Sequence, residues 1–121
     1  MADEKKKIVI ADDNRDLCAV IKAILEGEGY MVDSVHDGFA LIAYLKETQD
    51  VDVVILDLIM PEKGGISIFN TVRSVSPVSK IIIYTGYTSY KNSVFAREAD
   101  AFICKTDGAE KILKTIRSLL E

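Results

Sequence analysis

The stretch Val51-Asp52-Val53-Val54-Ile55-Leu56-Asp57 constrains this chain more than any other. From Val53 to Leu56 it is an unbroken apolar run, mostly β-branched. That is the pattern of a strand buried on both faces of a parallel sheet. The run ends on a carboxylate, Asp57, and breaks at once into Leu58-Ile59-Met60-Pro61-Glu62-Lys63-Gly64-Gly65, where a proline and two glycines stop regular structure. Asp57 is therefore expected at the carboxyl end of a central strand, on the lip of a loop. Open α/β sheets place ligands and chemistry there. A lone aspartate in such a position ordinarily just caps its loop. Here other apolar runs end in groups that an aspartate could use. Ile8-Val9-Ile10-Ala11 ends in Asp12-Asp13, Ile81-Ile82-Ile83-Tyr84 in Thr85-Gly86, and Ala101-Phe102-Ile103-Cys104 in Lys105.

The remaining residues alternate between strand and helix patterns. A first strand, Lys7–Ala11, leads to a helix that Asn14 can cap. In it Leu17, Val20, Ile21, Ile24 and Leu25 recur as a core-facing stripe, and Gly27 and Gly29 stop it. Tyr30–Val35 reads as a second strand, His36-Asp37-Gly38 as a turn, and residues 39–47 as a helix with Leu41, Ile42 and Leu45 inward. After the central strand and its loop, Ile66, Phe69, Val72 and Arg73 predict a third helix ending within residues 74–77. Lys80–Tyr84 is a fourth strand and residues 85–90 a polar and aromatic loop. Residues 90–98 carry the weakest helical stripe, Val94, Phe95 and Ala99. Ala101–Cys104 is a fifth strand, and Ala109–Leu120 a last helix with Ile112, Leu113, Ile116, Leu119 and Leu120 inward.

Five such units with short connections imply an α/β, doubly wound, flavodoxin-like fold: a five-stranded parallel sheet flanked by five helices. The second strand is the least apolar and suits an edge. The order 2-1-3-4-5 sets strands one and three side by side, about 4.8 Å apart, and brings Asp12 and Asp13 next to Asp57 at the switch point.

The chain has 121 residues, enough for one domain spanning 1–121, with no linker, tail or internal repeat expected. A net charge of −4 argues against sequence-independent binding to nucleic acid or anionic lipid. Lys5-Lys6-Lys7 follows Asp3-Glu4 and reads as the solvated start of a strand, not as a binding patch. No apolar run approaches the roughly 20 residues that cross a bilayer, and no signal-peptide pattern opens the chain. The expected location is cytoplasmic, without a membrane partner. Cys18 and Cys104 lie far apart inside predicted elements and read as buried thiols in a reducing compartment. His36, the single histidine, reads as a turn residue away from Asp57.

Carboxylates crowded together repel unless a proton or cation separates them. Hard oxygen donors with water completing the shell suit Mg²⁺ better than zinc or copper. With the charge offset, one carboxylate can act as a nucleophile toward a phosphoryl group. Lys105 would neutralise one phosphoryl oxygen, and the Thr85 hydroxyl with nearby backbone N–H groups would hold another.

These residues resemble the receiver domain of two-component response regulators over essentially the whole chain. Asp12-Asp13 matches the family's acidic pair, Asp57 its phospho-accepting aspartate, Asp57-x-x-Met60-Pro61-x-x-x-Gly65 the loop after it, Thr85-Gly86 its hydroxyl and small residue, and Lys105 its lysine. The resemblance implies that Asp57 takes a phosphoryl group from a phosphohistidine on a sensor histidine kinase or phosphotransfer protein. It implies direct Mg²⁺ ligation by Asp13, Asp57 and the backbone carbonyl of Ile59, with Asp12 acting largely through water. Thr85 and Phe102 match its switch pair, a plain core role being the alternative for Phe102. The fourth helix, fifth strand and fifth helix would form the responding face, with Tyr84, Tyr87 and Tyr90 as an aromatic surface cluster. On this reading the chain is no enzyme toward other substrates. It acts by docking to a downstream protein, or as the receiver piece of a longer protein with a fused effector domain. A homodimer through the same face is compatible with the sequence.

Two departures stand out. Lys105 precedes Thr106, where the family usually has proline, often after a cis bond; a cis bond before a non-proline costs about 2.5–4 kcal/mol. The expectation is a trans bond with the lysine aimed differently, or a strained cis bond. Ile59 and Tyr87 occupy the positions that flank the path of the hydrolytic water, and neither can orient water as an amide or carboxylate would. Three other readings compete. An aspartate-based phosphatase of the haloacid dehalogenase type needs an acid where Ile59 stands. A flavodoxin-like cofactor binder needs a Ser/Thr/Gly-rich loop where Asp12-Asp13 stand. A receiver-like scaffold without phosphorylation rests mainly on Thr106.

Overall fold

The computed structural model describes residues 5–48, 50–60 and 64–121. Its elements run β1 (Lys7–Ala11), α1 (Arg15–Gly27), β2 (Met31–Val35), α2 (Gly38–Glu47), β3 (Val53–Leu56), α3 (Gly65–Val75), β4 (Lys80–Thr85), a 3₁₀ turn (Thr88–Asn92), α4 (Val94–Glu98), β5 (Ala101–Cys104), a second 3₁₀ turn (Lys105–Asp107) and α5 (Ala109–Leu120). All neighbouring strands pair in parallel, in the order β2-β1-β3-β4-β5. The expected fold and strand order are both present. Residues 61–63 of the predicted Pro–Gly loop lie outside the described residues.

Burial follows the alternation of the strands. Val9, Ala11, Val54, Leu56, Ile81 and Ile83 pack under α2 and α3, with Leu41, Leu45, Ile68, Phe69 and Val72. Ile8, Ile10, Val53, Ile55, Ile82 and Ile103 face the other way, against Cys18, Ile21 and Leu25 of α1 and Ile112 and Ile116 of α5. Each apolar residue of β1, β3 and β4 thus feeds one of two cores. This is why the central strands read as continuous apolar runs and not as alternating ones. Every residue of β3 is buried, whereas β2 at the edge leaves Met31 and Asp33 exposed.

Local expectations fail where a helix has few neighbours. On α1, Cys18, Ile21 and Leu25 form the buried line, while Val20 and Ile24 are exposed. The five-residue stripe is wider than the strip of helix that a sheet covers. The predicted helix 90–98 is split. Ser93 donates its hydroxyl proton to Tyr90 O (2.6 Å) and accepts from Ala96 N (3.3 Å), so it closes the 3₁₀ turn and caps α4 at once. Val94 is exposed, while Phe95 and Ala99 pack partly against the core, Phe95 edge-on to Phe69 at 6.0 Å between ring centres. Arg73, placed on the α3 stripe by its spacing, instead spreads its guanidinium over Ser79 O, Glu98 O and the Asp100 carboxylate. It therefore ties the end of α4 to α3. Cys18 is buried as expected, but Cys104 is only half-buried.

Gly65 begins α3 hard against the strand that carries Asp57. A Cβ there would lie 2.5 Å from Asp57 O and 2.9 Å from Leu56 Cγ. Gly65→Ala is expected to destabilise the fold by about 1–3 kcal/mol through overpacking. Gly27, at the end of α1, provides the contrast, because nothing lies within 4 Å of the place its Cβ would occupy. Gly27→Ala should stabilise by about 0.4–1 kcal/mol through the unfolded chain. Urea unfolding of the two variants measures both signs.

Candidate functional site

The carboxyl edge of the sheet gathers the residues that the sequence places at strand ends. Ala11 pairs with Leu56 in register, and Asp57 N–H donates to Ala11 O at 3.0 Å. The first residues past β1 and β3 are therefore adjacent. Asp12, Asp13 and Asp57 each offer a carboxylate oxygen, and these atoms lie within 4.8 Å of one another. Asp12 and Asp57 are 2% and 4% exposed, while Asp13 is open to solvent. Lys105, arriving past β5, puts Nζ 2.7 Å from Asp12 Oδ2 and 2.9 Å from Asp57 Oδ2.

The two contacts of Lys105 differ in kind. The ammonium donates a hydrogen bond to Asp57 Oδ2. Toward Asp12 Oδ2 it makes a charge contact, yet that buried oxygen has no directional hydrogen-bond partner among the described residues. The other oxygens are held by backbone: Asn14 N–H donates to Asp12 Oδ1 (2.9 Å), and Ile59 N–H reaches Asp57 Oδ1 (3.4 Å). Burial pushes the Asp57 carboxyl above its ordinary range. The Lys105 hydrogen bond pulls it back, and the Asp12 charge pushes it up again. Burial alone would lower the Lys105 ammonium, but its close contacts with the Asp12 and Asp57 carboxylates leave it raised overall.

Three carboxylates against one ammonium leave two negative charges in a mostly buried cluster. All the donors are hard oxygens, and one of them is buried without a hydrogen bond. This donor set fits a hard divalent cation such as Mg²⁺ or Ca²⁺ and not a soft metal.

The other expected site residues are placed as follows. Thr85 is fully buried at the end of β4, and its Oγ1 accepts from Tyr87 N–H at 3.2 Å. Phe102 is half-buried on β5 and packs against the core under α2 and α3. Ile59 and Tyr87 are both exposed. The Lys105–Thr106 bond is trans, as are all described peptide bonds. Yet the lysine still reaches both aspartates, so the expectation that a trans bond would redirect it is overturned. The 3₁₀ turn Lys105–Asp107 supplies the geometry: Asp107 accepts from Cys104 N–H at 3.3 Å, and Gly108 takes φ of +79° to release the chain into α5.

The tyrosines do not form one surface cluster. Tyr84 is buried, with Lys105 Nζ 6.0 Å from its ring centre; Tyr90 packs partly into the core; only Tyr87 is well exposed. Sequence reasoning missed Tyr84 as a wall of the Lys105 site, although strand alternation puts it on the opposite face from Ile83 and Thr85. It also set His36 apart. The ring of His36 is in fact 3.0 Å from Asp12 O through Nδ1, and Cys18 Sγ approaches the same carbonyl at 3.4 Å.

The sequence model of the family described as "Response regulator receiver domain" matches residues 8–117. The chain belongs to this family. The transcriptional regulatory protein CpxR of Klebsiella pneumoniae is 32% identical over 116 residues, which is 94% of this chain but 49% of that protein. The chain thus spans about half the length of the CpxR proteins it matches. A CheY-like response regulator receiver domain protein from Methanospirillum hungatei superposes with a TM-score of 0.88 at 30% identity, covering 95% of this chain and 93% of that one. TrrA of Thermotoga maritima, solved in complex with Mg²⁺-BeF, gives 0.86 at 26% identity and covers 94% of this chain and 98% of its own. TrrA has also been solved in complex with the histidine kinase ThkA, and in that structure it covers 96% of this chain and 99% of its own.

Cys18 provides a test of the packing beneath this receiver site. Burial first, and the Asp12 charge second, push its thiol from 9.0 up to about 11. The folded protein therefore holds this proton where the unfolded chain has lost it. The stability tied to it falls between pH 9.0 and about 11. In native protein at pH 8, iodoacetamide is expected to spare Cys18 while urea-unfolded protein is alkylated there. Peptide mass mapping reads the difference, and rapid native labelling of Cys18 would contradict the packing.

Proposed function

We propose that this receiver domain is a phospho-accepting signalling switch. Asp57 takes a phosphoryl group from a phosphohistidine on a sensor histidine kinase or phosphotransfer protein. The observation that carries this reading is Lys105 Nζ at 2.9 Å from a buried aspartate that ends the central strand, with Asp12 and Asp13 alongside. The TrrA complexes with Mg²⁺-BeF and with ThkA support both the metal and the class of donor.

In the reaction an Asp57 carboxylate oxygen forms a bond to phosphorus. The phosphorus–nitrogen bond of the donor breaks, and its electron pair returns to the imidazole, which takes a proton. Asp57 is suited to this because burial makes its charge poorly solvated, while Lys105 fixes one oxygen and the Ile59 amide the other. Asp13, Asp57 and the Ile59 backbone carbonyl would hold Mg²⁺, with Asp12 acting largely through water. When bound, Mg²⁺ offsets the negative charge that otherwise repels a phosphoryl group. Lys105 neutralises a phosphoryl oxygen. A phosphoryl group brings a charge of roughly −1.5 to −2 at pH 7. Thr85 would leave the Tyr87 amide to donate to a phosphoryl oxygen, and Phe102 would turn toward the space it vacates. The α4–β5–α5 face is the surface that changes.

Residues 1–121 act as a single domain, at work in the cytoplasm. The output is a docked downstream protein or a fused effector domain, as the name and greater length of CpxR suggest. Neither nucleic acid nor membrane is a direct partner of this domain. Its only chemistry is on its own aspartate.

Incubation with acetyl phosphate and MgCl₂ should add one phosphoryl group by intact mass. Asp57→Ala and an EDTA control should add none. A wild-type protein that gains no mass while Mg²⁺ also fails to bind would falsify the switch and favour a scaffold. Because Ile59 offers no group to orient water, the phosphoryl-aspartate should be long-lived. Ile59→Asn is expected to shorten its half-life severalfold, measured by loss of the added mass with time. Equal decay in the two proteins contradicts the assignment of Ile59.

A further inference from the structure

The β1–β2 ladder stops one bond short at the metal site. Parallel pairing sets Ala11 beside Val35, and Asp12 N–H donates to Val35 O at 3.1 Å. In a parallel ladder the next bond would run from Asp37 N–H to Asp12 O. Asp37 has instead turned away to cap α2, accepting from Ala40 N–H at 2.8 Å. The carbonyl of Asp12 is met by the His36 ring, with Nδ1 at 3.0 Å. A carbonyl has only lone pairs to offer, so Nδ1 carries the proton in this contact. The imidazole therefore supplies the donor that the ladder lacks.

We propose that His36 is a positioning residue for cation binding. It holds the Asp12 main chain so that its carboxylate faces Asp13 and Asp57. The inference rests on the proposed Mg²⁺ site. Asp12 Oδ1 is already taken by Asn14 N–H, so the direction of Oδ2 follows from where the backbone of Asp12 sits. The amide is tied to β2 through Val35 O. Among the described residues, the carbonyl is tied only by His36 and by the weak donor Cys18 Sγ. Without the imidazole N–H, the peptide after Asp12 gains freedom to rotate, and it leads directly into Asp13. Both aspartates then lose register with Asp57. Partners that orient metal ligands without touching the metal typically change affinity by about 10–100-fold when removed.

The test is an NMR titration of the amide resonances with MgCl₂, which reports folding and affinity together. His36→Phe keeps a ring and removes the donor. His36→Asn keeps an N–H close to the position of Nδ1. The expected result is Mg²⁺ binding about tenfold weaker or worse in His36→Phe, with His36→Asn close to wild type and both variants folded. If His36→Phe binds Mg²⁺ like wild type, or if the two variants weaken equally, the positioning role is overturned and the phospho-switch reading stands. If wild type itself shows no Mg²⁺-dependent shifts, the metal site fails and this inference with it. Should His36→Phe give no folded spectrum, His36→Ala is read in its place.

Discussion

Two buried carboxylates can share one corner of this fold because a lysine from a third strand end lies between them. Burial and the neighbouring Asp12 charge would by themselves favour a proton on Asp57. The Lys105 ammonium, 2.7 and 2.9 Å from the two groups, keeps charge in the cluster without covering it completely. One ammonium against three carboxylates leaves a deficit of positive charge. The proposed affinity for a hard cation rests on that deficit, and the proposed reactivity toward phosphorus on a cation making it good. A fully neutralised cluster would be a structural ion pair and nothing more.

The sheet supplies the geometry, and the helices lock it. Placing β1 and β3 side by side makes Asp12 and Asp57 neighbours although 45 positions separate them in the chain. The site would still wander if the loop after Asp57 were free. Gly65 prevents this by bringing α3 within van der Waals contact of the Asp57 backbone, its N–H donating to Asp57 O at 3.2 Å. The same loop sends Ile59 N–H back to the Asp57 carboxylate. Asp57 is thereby held at its carbonyl, at its amide and at both carboxylate oxygens, and only small rotations of its side chain remain.

What the sequence reveals and what it hides divide along physical lines. Strand ends are legible because a run buried on both faces admits no polar residue until it stops, so Asp12, Asp57, Thr85 and Lys105 announce themselves. Helix faces are less legible. Periodicity marks which residues could be buried, as with Val20 and Ile24, but the width of the covered strip depends on neighbours that only the fold defines. The Ser93 break is a local competition between side chain and backbone that a stripe of apolar residues does not register. The role of His36 was hidden for a third reason. It depends on a ladder bond that fails to form, and such an absence has no sequence pattern. Tyr84 falls between these cases. Its alternation was readable, but its meaning required knowing that Lys105 folds over that face.

The unequal packing of the two halves decides where a change at Asp57 can be expressed. β3 is buried throughout, and moving it would open both cores. The segment after Thr85 is different. A 3₁₀ turn and a five-residue helix follow it, α4 contains no buried residue, and this stretch is held by the partly buried Tyr90, Phe95 and Ala99 against the core and by Arg73 on Glu98 O. Few buried contacts mean a small free-energy difference between alternative arrangements. The far anchor does not share this looseness, because Asp100 bonds both Arg73 and Ile81 N–H, the latter at 2.8 Å. In the proposed switch, a pull on Thr85 at one end would meet a fixed point at Asp100, and residues 86–98 between them would take up the strain. The short, broken α4, whose stripe is the weakest in the sequence, thus has few buried contacts to resist a change of position.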